Sequence, residues 1–335
     1  MGRIWLTALA LCVAALVTLE FTWRALGFEP SITDDEDLWA YHREAVTDFD
    51  HNLLVLLGRS RIKQEFVPEV FEAMCPHYRY VQLAIEMWHP IATLRDLAEN
   101  TGFAGVVVCS VTAESLLPEL WDQQKDSLDY YYTRWGPMKR MNRIVRTWLQ
   151  GHLVILLPEL ILQRVGPDLL KGDVEPQFLR TRADRTQVVD YHKVNIEEFT
   201  RARVQGIQGI MKGYTELEGY ARWPKDLDVI EAMVEQIQGR GGKVVFLRCP
   251  TSGEYLATEA RAFPRDRFWD VFAKHTAATT IHFQDIAGMK ELVCAEGTHL
   301  HREDATAFTR ILTEELLRRG ILSKGQAAAL RGEGS

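Results

Sequence analysis

The sequence has no excess of basic residues. Its 335 residues carry 39 Lys and Arg against 46 Asp and Glu, which gives a formal net charge of −7. Because a protein that binds a phosphate backbone needs a positive surface, this balance argues against nucleic acid as a partner. The hydrophobic fraction of 47%, with ordinary numbers of glycine and proline (23 and 12), indicates a globular chain that can bury a substantial core.

Cysteines are few, and none has the spacing of a zinc site. Cys12 lies in an apolar run near the amino terminus. The other four allow either two disulfides, in any of three pairings, or buried thiols: Cys75, Cys109, Cys249 and Cys294. Cys109 and Cys249 both end apolar runs, which favours buried thiols at those two positions. We expect neither a metal ion nor a cofactor.

Long hydrophobic runs are also scarce, and the clearest covers residues 4–21, which are apolar except for two threonines and Glu20. That length is sufficient to cross a thin bilayer or to cross a bilayer at a tilt. A removable signal peptide has the same composition. However, Leu11 rather than a small residue precedes Cys12, and no small-residue cleavage site follows. These features favour an uncleaved membrane anchor over residues 1–27.

The charges on the two sides of this run predict its orientation. Arg3 and the amino group precede it, whereas an acidic stretch at 34–37 follows it. Because positive flanks stay in the cytoplasm, the soluble part is expected on the periplasmic or extracellular side. We expect residues 28–50 to form a connector, followed by one α/β domain over 51–322. A flexible tail over 323–335 is also expected.

Five short apolar runs alternate with helical patterns in the predicted domain. A helix predicted at 226–238 leads through glycines into one of these runs, and a last amphipathic helix is predicted at about 303–319. This alternation predicts a three-layer, doubly wound α/β fold with a parallel sheet, whose ligand site lies at the carboxyl edge. The predicted strands are 52–57, 78–84, 104–111, 243–248 and 279–286.

A long segment at about 113–225 interrupts the strand series and is predicted to be a large, mainly helical insertion. Residues 148–165 within it are strongly apolar. They fit a second membrane span, a buried pair of helices, or a lid or membrane-facing surface. Residues 129–148 mix aromatic and basic side chains, which suit sugar stacking or lipid head groups but are also common on amphipathic helices.

Two short stretches carry the residue types of nucleophilic catalysis. The run "LLVLLGRSRIKQ" (53–64) delivers Ser60 to the carboxyl end of a strand, and "CAEGTHLHREDATAF" (294–308) places Glu296 three residues before His299. A carboxylate beside an imidazole fixes its tautomer and stabilises the imidazolium that forms when it takes a serine proton. If both loops reach the same sheet edge, Ser60 faces His299. The helix that begins near Ser60 would add positive charge and a backbone N–H.

This pattern resembles the SGNH (GDSL-type) hydrolases, which have a flavodoxin-like three-layer sheet. Within them it resembles the membrane-anchored SGNH-like proteins encoded beside membrane-bound O-acyltransferases, as in alginate acetylation and lipoteichoic-acid D-alanylation. The resemblance rests on the Gly-x-Ser of 58–60, the blocks "VQLAIEMWHP" (81–90) and "GVVVCSV" (105–111), and the late carboxylate-x-x-His. It implies that Ser60 is the nucleophile, His299 the base and Glu296 the residue that orients the base.

The sequence departs from the pattern of that family at several positions. Arg59 stands where the first block has an aspartate, and Glu296 is one methylene longer than the aspartate of the triad. Two oxyanion donors lack direct counterparts, and the loss of one such donor typically costs about 100- to 1000-fold in rate. Replacements are backbone N–H groups, Arg59, or a side chain from 249–255. The residues near the missing glycine are Glu86 and Met87, and those near the missing asparagine are Ser110 and Thr112.

Five further side chains are candidates for substrate binding: Arg59, His89, Ser110, Glu254 and Tyr255. Beside a nucleophile, Arg59 would bind a carboxylate or phosphate on the substrate.

Each principal residue also has a structural interpretation. Ser60 suits a helix N-cap. His299 and His301 could be a metal pair, although no further ligands cluster with them. Glu296 could be a solvated loop carboxylate. Arg61 is interpreted as a surface or ion-pairing residue.

The function predicted from these features is an extracytoplasmic, membrane-tethered transferase or esterase that handles O-acyl groups of a saccharide or glycopolymer through an acyl-serine. The expected partners are the membrane, a membrane-bound O-acyltransferase or an export protein, and a glycopolymer or an acylated small molecule. One alternative is a catalytically inactive SGNH-like accessory protein of a polysaccharide-modifying or export complex. Another is a glycan-binding module whose insertion grips sugar chains.

Overall fold

The five apolar runs form one parallel sheet, which confirms the predicted strand pattern. The computed structural model describes residues 2–160, 174–216 and 219–323. Its strands are β1 (Leu53–Leu57), β2 (Arg79–Gln82), β3 (Val106–Ser110), β4 (Leu179–Thr181), β5 (Gln187–Val189), β6 (Lys243–Arg248) and β7 (Thr279–His282). The sheet has the order β2-β1-β3-β6-β7, and every neighbouring pair is parallel.

Helices cover both faces of this sheet, so its central strands are buried on both sides, as their unbroken apolar sequences predict. All five residues of β1 and of β3 are buried. The helices are α1 (Gly2–Ala25), α2 (Glu36–Glu44), α3 (Ser60–Glu65), α4 (Pro68–Met74), α5 (Ile91–Glu99), α6 (Lys125–Arg134), α7 (Pro137–His152), α8 (Ile196–Glu216), α9 (Gly219–Gly239), α10 (Gly253–Ala262), α11 (Trp269–His275) and α12 (Arg302–Arg318).

Two apolar clusters separate these helices into layers. Leu94 of α5, Ile230 of α9 and Phe272 of α11 pack with one face of the sheet. Phe71 of α4 and Phe308 of α12 pack with the other face. Along the chain, β2 is added on one side of β1 and β3 on the other. The strand order therefore reverses between β1 and β3, and the carboxyl ends at such a reversal form a crevice for ligands.

The described part of the predicted insertion is mainly helical, and it also contains a hairpin that the sequence did not predict. Besides α6, α7 and α8 it contains an antiparallel hairpin, β4 paired with β5. Arg185 in the turn has a positive φ of 67°, and its buried guanidinium donates to the carbonyls of Gln82 (2.7 Å) and Ala84 (3.1 Å). The sequence does not reveal this hairpin because strands of three residues are too short to show an alternating pattern. In addition, an arginine such as Arg185 is normally expected on the surface.

The predicted connector is also structured, because α2 lies inside it and packs on α6 and α7. Asp35 caps this helix by accepting the backbone N–H of Leu38 at 3.0 Å. Trp39 is buried, and its indole N–H donates to the carbonyl of Leu83 at 3.0 Å. Residues 28–50 are therefore part of the packed body rather than a free linker.

The apolar segment 148–165 begins in the last turns of α7, which ends at His152. Two short 3₁₀ turns follow, Val154–Leu156 and Pro158–Leu160. Its last residues, 161–165, lie outside the described residues, as does the predicted tail after Ser323. Among the described residues, α1 alone is long and apolar enough to cross a membrane, with a mean hydropathy of 2.1. By length and composition, α1 is either a membrane anchor or a signal sequence.

A buried ion-pair network joins α3, the hairpin and the segment before α2. The Asp34 carboxylate pairs with Arg185 (2.7 Å) and with Lys63, whose side chain is 1% exposed. Lys63 also contacts Glu86 at 2.9 Å. Burial would raise the pKa of Asp34, but the two cations outweigh it and hold that pKa far below its ordinary value. Asp34 is therefore ionised in the folded protein.

We expect Asp34→Asn to lower the free energy of unfolding by about 3–5 kcal/mol, because it leaves two buried cations short of a partner. The measurement is a urea titration of the full chain in detergent, followed by tryptophan fluorescence. The control is Asp122→Asn, since Asp122 is 69% exposed and pairs with Arg95 at the surface. That change should cost at most about 1 kcal/mol. Equal losses in the two variants would contradict the assignment.

Candidate active site

Ser60 and His299 meet at the carboxyl edge of the sheet, 239 positions apart in the chain. The Nε2 atom of His299 lies 2.8 Å from the Oγ of Ser60. Ser60 follows β1 as the first residue of α3 and is half-buried. His299 lies in the loop between β7 and α12, and its side chain is 3% exposed. The hydroxyl therefore lies within hydrogen-bond reach of an imidazole that is shielded from water.

Gly58 allows the end of β1 to lie close to the end of β3. Its φ is 148°, a conformation that side chains disfavour, and an added Cβ would lie 2.9 Å from the Cβ of Ser110. The α3 helix that begins at Ser60 has only six residues. Its partial positive charge is correspondingly weak, so it contributes less to the site than the sequence predicts.

The loop that carries His299 is closed on itself. Cys294 and Leu300 form an isolated antiparallel bridge, and the N–H of Ala295 donates to the carbonyl of His299 at 2.7 Å. Gly297 at the turn has a φ of 86°, and an added Cβ would lie 2.8 Å from Tyr255. This turn brings the carboxylate of Glu296 close to the backbone of His299 in the same loop.

Glu296 holds the imidazole from the side opposite Ser60. Its carboxylate accepts a hydrogen bond from Nδ1 of His299 and another from the backbone N–H of His299 at 3.1 Å. With Nδ1–H directed at the carboxylate, Nε2 is free to accept the Ser60 proton. Glu296 is 1% exposed, which excludes the alternative of a solvated loop carboxylate.

Burial alone would raise the pKa of Glu296, but contacts with His299 and the Thr298 hydroxyl lower it to about 2. Thr298 donates to Glu296 at 2.5 Å and lies 2.9 Å from Nδ1 of His299. Burial lowers the pKa of His299 below 6.5; Glu296 opposes this shift, whereas Arg203 and Arg61 add to it. At neutral pH the site therefore holds an ionised carboxylate and a neutral imidazole.

A cavity of about 280 Å³ opens beside Ser60. Three of the predicted binding residues line it: Arg59, Ser110 and Tyr255. The Arg59 guanidinium lies 2.6 Å from the carboxylate of Glu114, and the hydroxyl of Tyr255 accepts from Arg61 at 3.1 Å.

The other two predicted binding residues do not line this cavity. His89 is buried one layer behind it, where Nδ1 contacts the Ser115 hydroxyl at 2.7 Å and Nε2 lies 3.9 Å from Glu114. Glu254 is exposed on the first turn of α10 and does not line the cavity, because the face of α10 that meets the cavity carries Tyr255 instead.

Sequence reasoning missed several residues at the site. Arg61 lines the cavity instead of the surface, and Arg203 reaches the cavity from α8 of the insertion. Met87, near the position of the missing glycine, also lines the cavity and has a φ of 65°. The position of Arg61 could have been predicted from the sequence, because it is adjacent to Ser60. For Arg203 there was none, because the packing of α8 on α10 is not visible in the sequence.

Two alternatives proposed from the sequence do not describe these residues. The ring of His301 contacts Tyr191 (centroids 5.3 Å apart) rather than sharing a site with His299. Within residues 2–160, 174–216 and 219–323, no three His, Cys, Asp or Glu side chains are grouped as metal ligands. Cys75, Cys109, Cys249 and Cys294 are buried free thiols rather than two disulfides.

A larger cavity, of about 790 Å³, lies between α7 and the hairpin. Its arginines are held by carboxylates: Arg182 lies 2.5 Å from Glu69, and Arg143 lies 2.9 Å from Asp35. Its histidine, His152, contacts the carbonyl of Trp148 at 2.7 Å. The smaller cavity is lined by Ser60 and His299, the candidate nucleophile and base, so the candidate active site is placed there.

No protein-family model matches the chain, and no curated protein matches it in sequence. One solved structure, described as the crystal structure of TesA, aligns with 81% of this chain and 99% of its own at 11% identity, with a TM-score of 0.35. A likeness of this extent carries no argument about activity. The functional argument therefore rests on the geometry around Ser60.

Proposed function

We propose that the protein is a membrane-tethered, serine-dependent acyltransferase or esterase with an SGNH-like fold. The observation that carries this proposal is the continuous chain of hydrogen bonds from Ser60 through His299 to Glu296, beside an open cavity. In this chain a nucleophile contacts a base, and the base is oriented by a buried carboxylate. The helix N-cap role does not account for the imidazole at 2.8 Å from the Ser60 hydroxyl.

The chemistry follows from these contacts. The Ser60 oxygen attacks the carbonyl carbon of an acyl ester while Nε2 of His299 takes the hydroxyl proton. The imidazolium is stabilised by Glu296 and returns the proton to the departing alcohol, which leaves an acyl-serine. A second hydroxyl, from a saccharide or from water, then attacks the acyl-serine while His299 accepts its proton. That proton passes to the Ser60 oxygen when the ester bond breaks.

The contacts of α1 with the globular part support a retained anchor over a removed signal peptide. Glu20 in α1 accepts the backbone N–H groups of Val154 (3.1 Å) and Ile155 (3.0 Å). Arg24 donates to the carbonyl of His152 at 2.6 Å. Trp23 of α1 is buried in an apolar cluster that includes Val154 and Leu157. Removal of this helix would leave these groups unpaired, so we infer that it stays. The extracytoplasmic orientation rests on the charges that flank it.

The substrate is proposed to be an O-acyl group of a saccharide or glycopolymer. A cavity of about 280 Å³ suits a short acyl chain with the rest of a polymer outside it. Delivery of the acyl group by a membrane-bound O-acyltransferase, or docking on an export protein, is part of the same proposal. It follows from the anchor and from the family resemblance.

The experiment treats the full chain in detergent with a fluorophosphonate probe and with a chromogenic acetyl ester. We expect covalent labelling at Ser60, located by peptide mass spectrometry, and ester turnover that requires Ser60. Saccharide acceptors added to the assay separate transfer from hydrolysis through the product formed. Absence of both labelling and turnover, with the fold intact, would overturn the proposal.

The pH dependence of turnover gives a further prediction. Because a general base must be neutral, kcat/KM should rise with pH through a midpoint below 6.5 and level off at neutral pH. Arg203→Gln removes a positive charge that lowers the pKa of His299, so the midpoint should move upward. The measurement is the pH profile of kcat/KM for both proteins. A midpoint that moves downward would contradict this role of Arg203.

A catalytically inactive accessory protein is the second candidate, and one observation favours it. Ser110, near the place of the asparagine oxyanion donor of the family, has its hydroxyl in contact with the Cys249 thiol at 3.2 Å. The remaining donors proposed from the sequence are Arg59, which is paired with Glu114, backbone N–H groups, and a side chain from 249–255. A fold that binds partners without turnover would give neither labelling nor ester cleavage.

A further inference from the structure

The cavity beside Ser60 is lined by more positive than negative side chains. Three guanidinium groups line it, those of Arg59, Arg61 and Arg203, against the single carboxylate of Glu114. Glu114 pairs with Arg59 at 2.6 Å. The Nε atom of Arg203 is 3.8 Å from Glu296, at the limit of an ion pair, and its side chain is 39% exposed. Two of the three cations therefore lack a close carboxylate of their own.

Arg61 is the cation with the fewest partners. Its Nη2 donates to the hydroxyl of Tyr255 at 3.1 Å, and its guanidinium carbon lies 5.4 Å from the centre of that ring. Its Nη1 is buried and has no hydrogen-bond partner. Within the described part of the chain, no carboxylate lies within 4 Å of this guanidinium. A buried guanidinium N–H without an acceptor is costly, which points to an anion supplied from outside.

The nearby Glu65 does not supply this anion. Its side chain is completely buried, and neither carboxyl oxygen makes a conventional hydrogen bond. Burial raises the pKa of Glu65 well above its ordinary value, although the charge of Arg61 opposes the shift. Burial therefore disfavours the ionised form of this carboxyl. Since neither carboxyl oxygen of Glu65 is hydrogen-bonded to the Arg61 guanidinium, that guanidinium remains available to a ligand.

We propose that the site takes acyl esters that carry a carboxylate or phosphate close to the reacting carbonyl, and that Arg61 and Arg203 bind this anionic group. The inference rests on the proposed function and adds the substrate class to it. An anion between these two guanidinium groups would give Nη1 of Arg61 a hydrogen-bond partner. It would also hold the ester beside Ser60. Hydrogen bonds to charged groups contribute about 1.5–3 kcal/mol each, or about 10- to 100-fold in preference.

The test compares the full chain acting on matched esters. Phenyl acetate is the neutral reference. 3-Acetoxybenzoate places a carboxylate on the alcohol side, phenyl succinate places it on the acyl side, and 3-acetoxyphenyl phosphate replaces carboxylate by phosphate. We expect kcat/KM for at least one anionic ester to exceed that for phenyl acetate by about 10- to 100-fold. The preference should decrease as the ionic strength rises.

The preference should fall about tenfold or more in Arg61→Gln, and Arg61→Lys should restore part of it because a lysine keeps the charge but not the fork of donors. Arg79→Gln is the matched control, since Arg79 is 60% exposed at the far end of β2. If Arg61→Gln does not fold by thermal unfolding, Arg203→Gln takes its place. A ratio of one or less in the wild type, or a ratio unchanged by both substitutions, would overturn the inference.

A separate measurement distinguishes this inference from the proposed function. Binding of 3-acetoxybenzoate and phenyl acetate to Ser60→Ala is followed by ligand-detected NMR, which requires no turnover. Tighter binding of the anionic ester that is lost in the Ser60→Ala, Arg61→Gln double variant supports the anion site even if no ester is cleaved. Equal binding of the two esters overturns the anion site, even when Ser60-dependent turnover is present.

Discussion

Ser60→Ala is expected to reduce turnover of an acetyl ester by about 10⁴- to 10⁶-fold and to abolish fluorophosphonate labelling. The reason is that the Ser60 hydroxyl lies 2.8 Å from Nε2 of His299, the nitrogen that is free to accept a proton, whereas the Thr298 hydroxyl contacts Nδ1. Without the nucleophile, His299 and Glu296 have no group to activate. The measurement is kcat/KM together with peptide mass spectrometry of the labelled protein.

Two controls make this result specific. Ser323→Ala removes an exposed hydroxyl after α12 and should change neither labelling nor rate. Thermal unfolding of Ser60→Ala should match that of the wild type, because Ser60 is half-buried and the N-cap of α3 is Arg59 rather than Ser60. Labelling that persists at another serine in Ser60→Ala would move the nucleophile elsewhere and remove the basis of the proposed mechanism.

The outcome also decides between the two candidate functions. The wild type and Ser60→Ala would behave alike if the chain were an inactive accessory protein, because the hydrogen-bonded triad would then be a structural remnant. A transferase that requires its acceptor would still be labelled, since the first half of the reaction needs only the nucleophile and the base. Labelling is therefore the more informative of the two measurements.

The meeting of Ser60 and His299 was predictable because it depends on topology rather than on side-chain detail. Long apolar runs are recognisable as central parallel strands, and right-handed crossovers bring every carboxyl end to one edge. A residue just after β1 and a residue just after the last strand therefore come together at that edge. The local spacing of Glu296 and His299 then fixes which side of the imidazole the carboxylate takes.

The wall of the cavity was not predictable to the same degree. Glu254 and Tyr255 are adjacent in sequence, but successive helical side chains point about 100° apart, so only Tyr255 faces the cavity. Which of the two residues faces the cavity depends on the rotation of α10 about its axis. That rotation is set by packing against α8, which is distant in the sequence. Arg203 reaches the site for the same reason. Hairpin β4–β5 escaped prediction because Arg185, its buried turn residue, has the chemistry of a surface residue.

The second large effect is expected for Glu296→Gln, which should lower kcat by about 10³- to 10⁴-fold with little change in KM. The carboxylate accepts from Nδ1 of His299, so it holds the tautomer that leaves Nε2 free for Ser60. A glutamine presents either an oxygen or an amide N–H to Nδ1, and it supplies no charge for the imidazolium. Glu296→Asp keeps the charge on a shorter chain and should lose less activity.

The pH profile separates this role from a purely structural one. The pKa of Glu296 is about 2, so the carboxylate is ionised at every pH at which the protein would be assayed. Its charge raises the pKa of His299, and its removal should move the midpoint of kcat/KM to lower pH. Glu254→Gln, on the exposed start of α10, is the matched control and should leave the profile unchanged. A loss of activity in Glu296→Gln without this downward shift would indicate that Glu296 shapes the loop but does not act on the base.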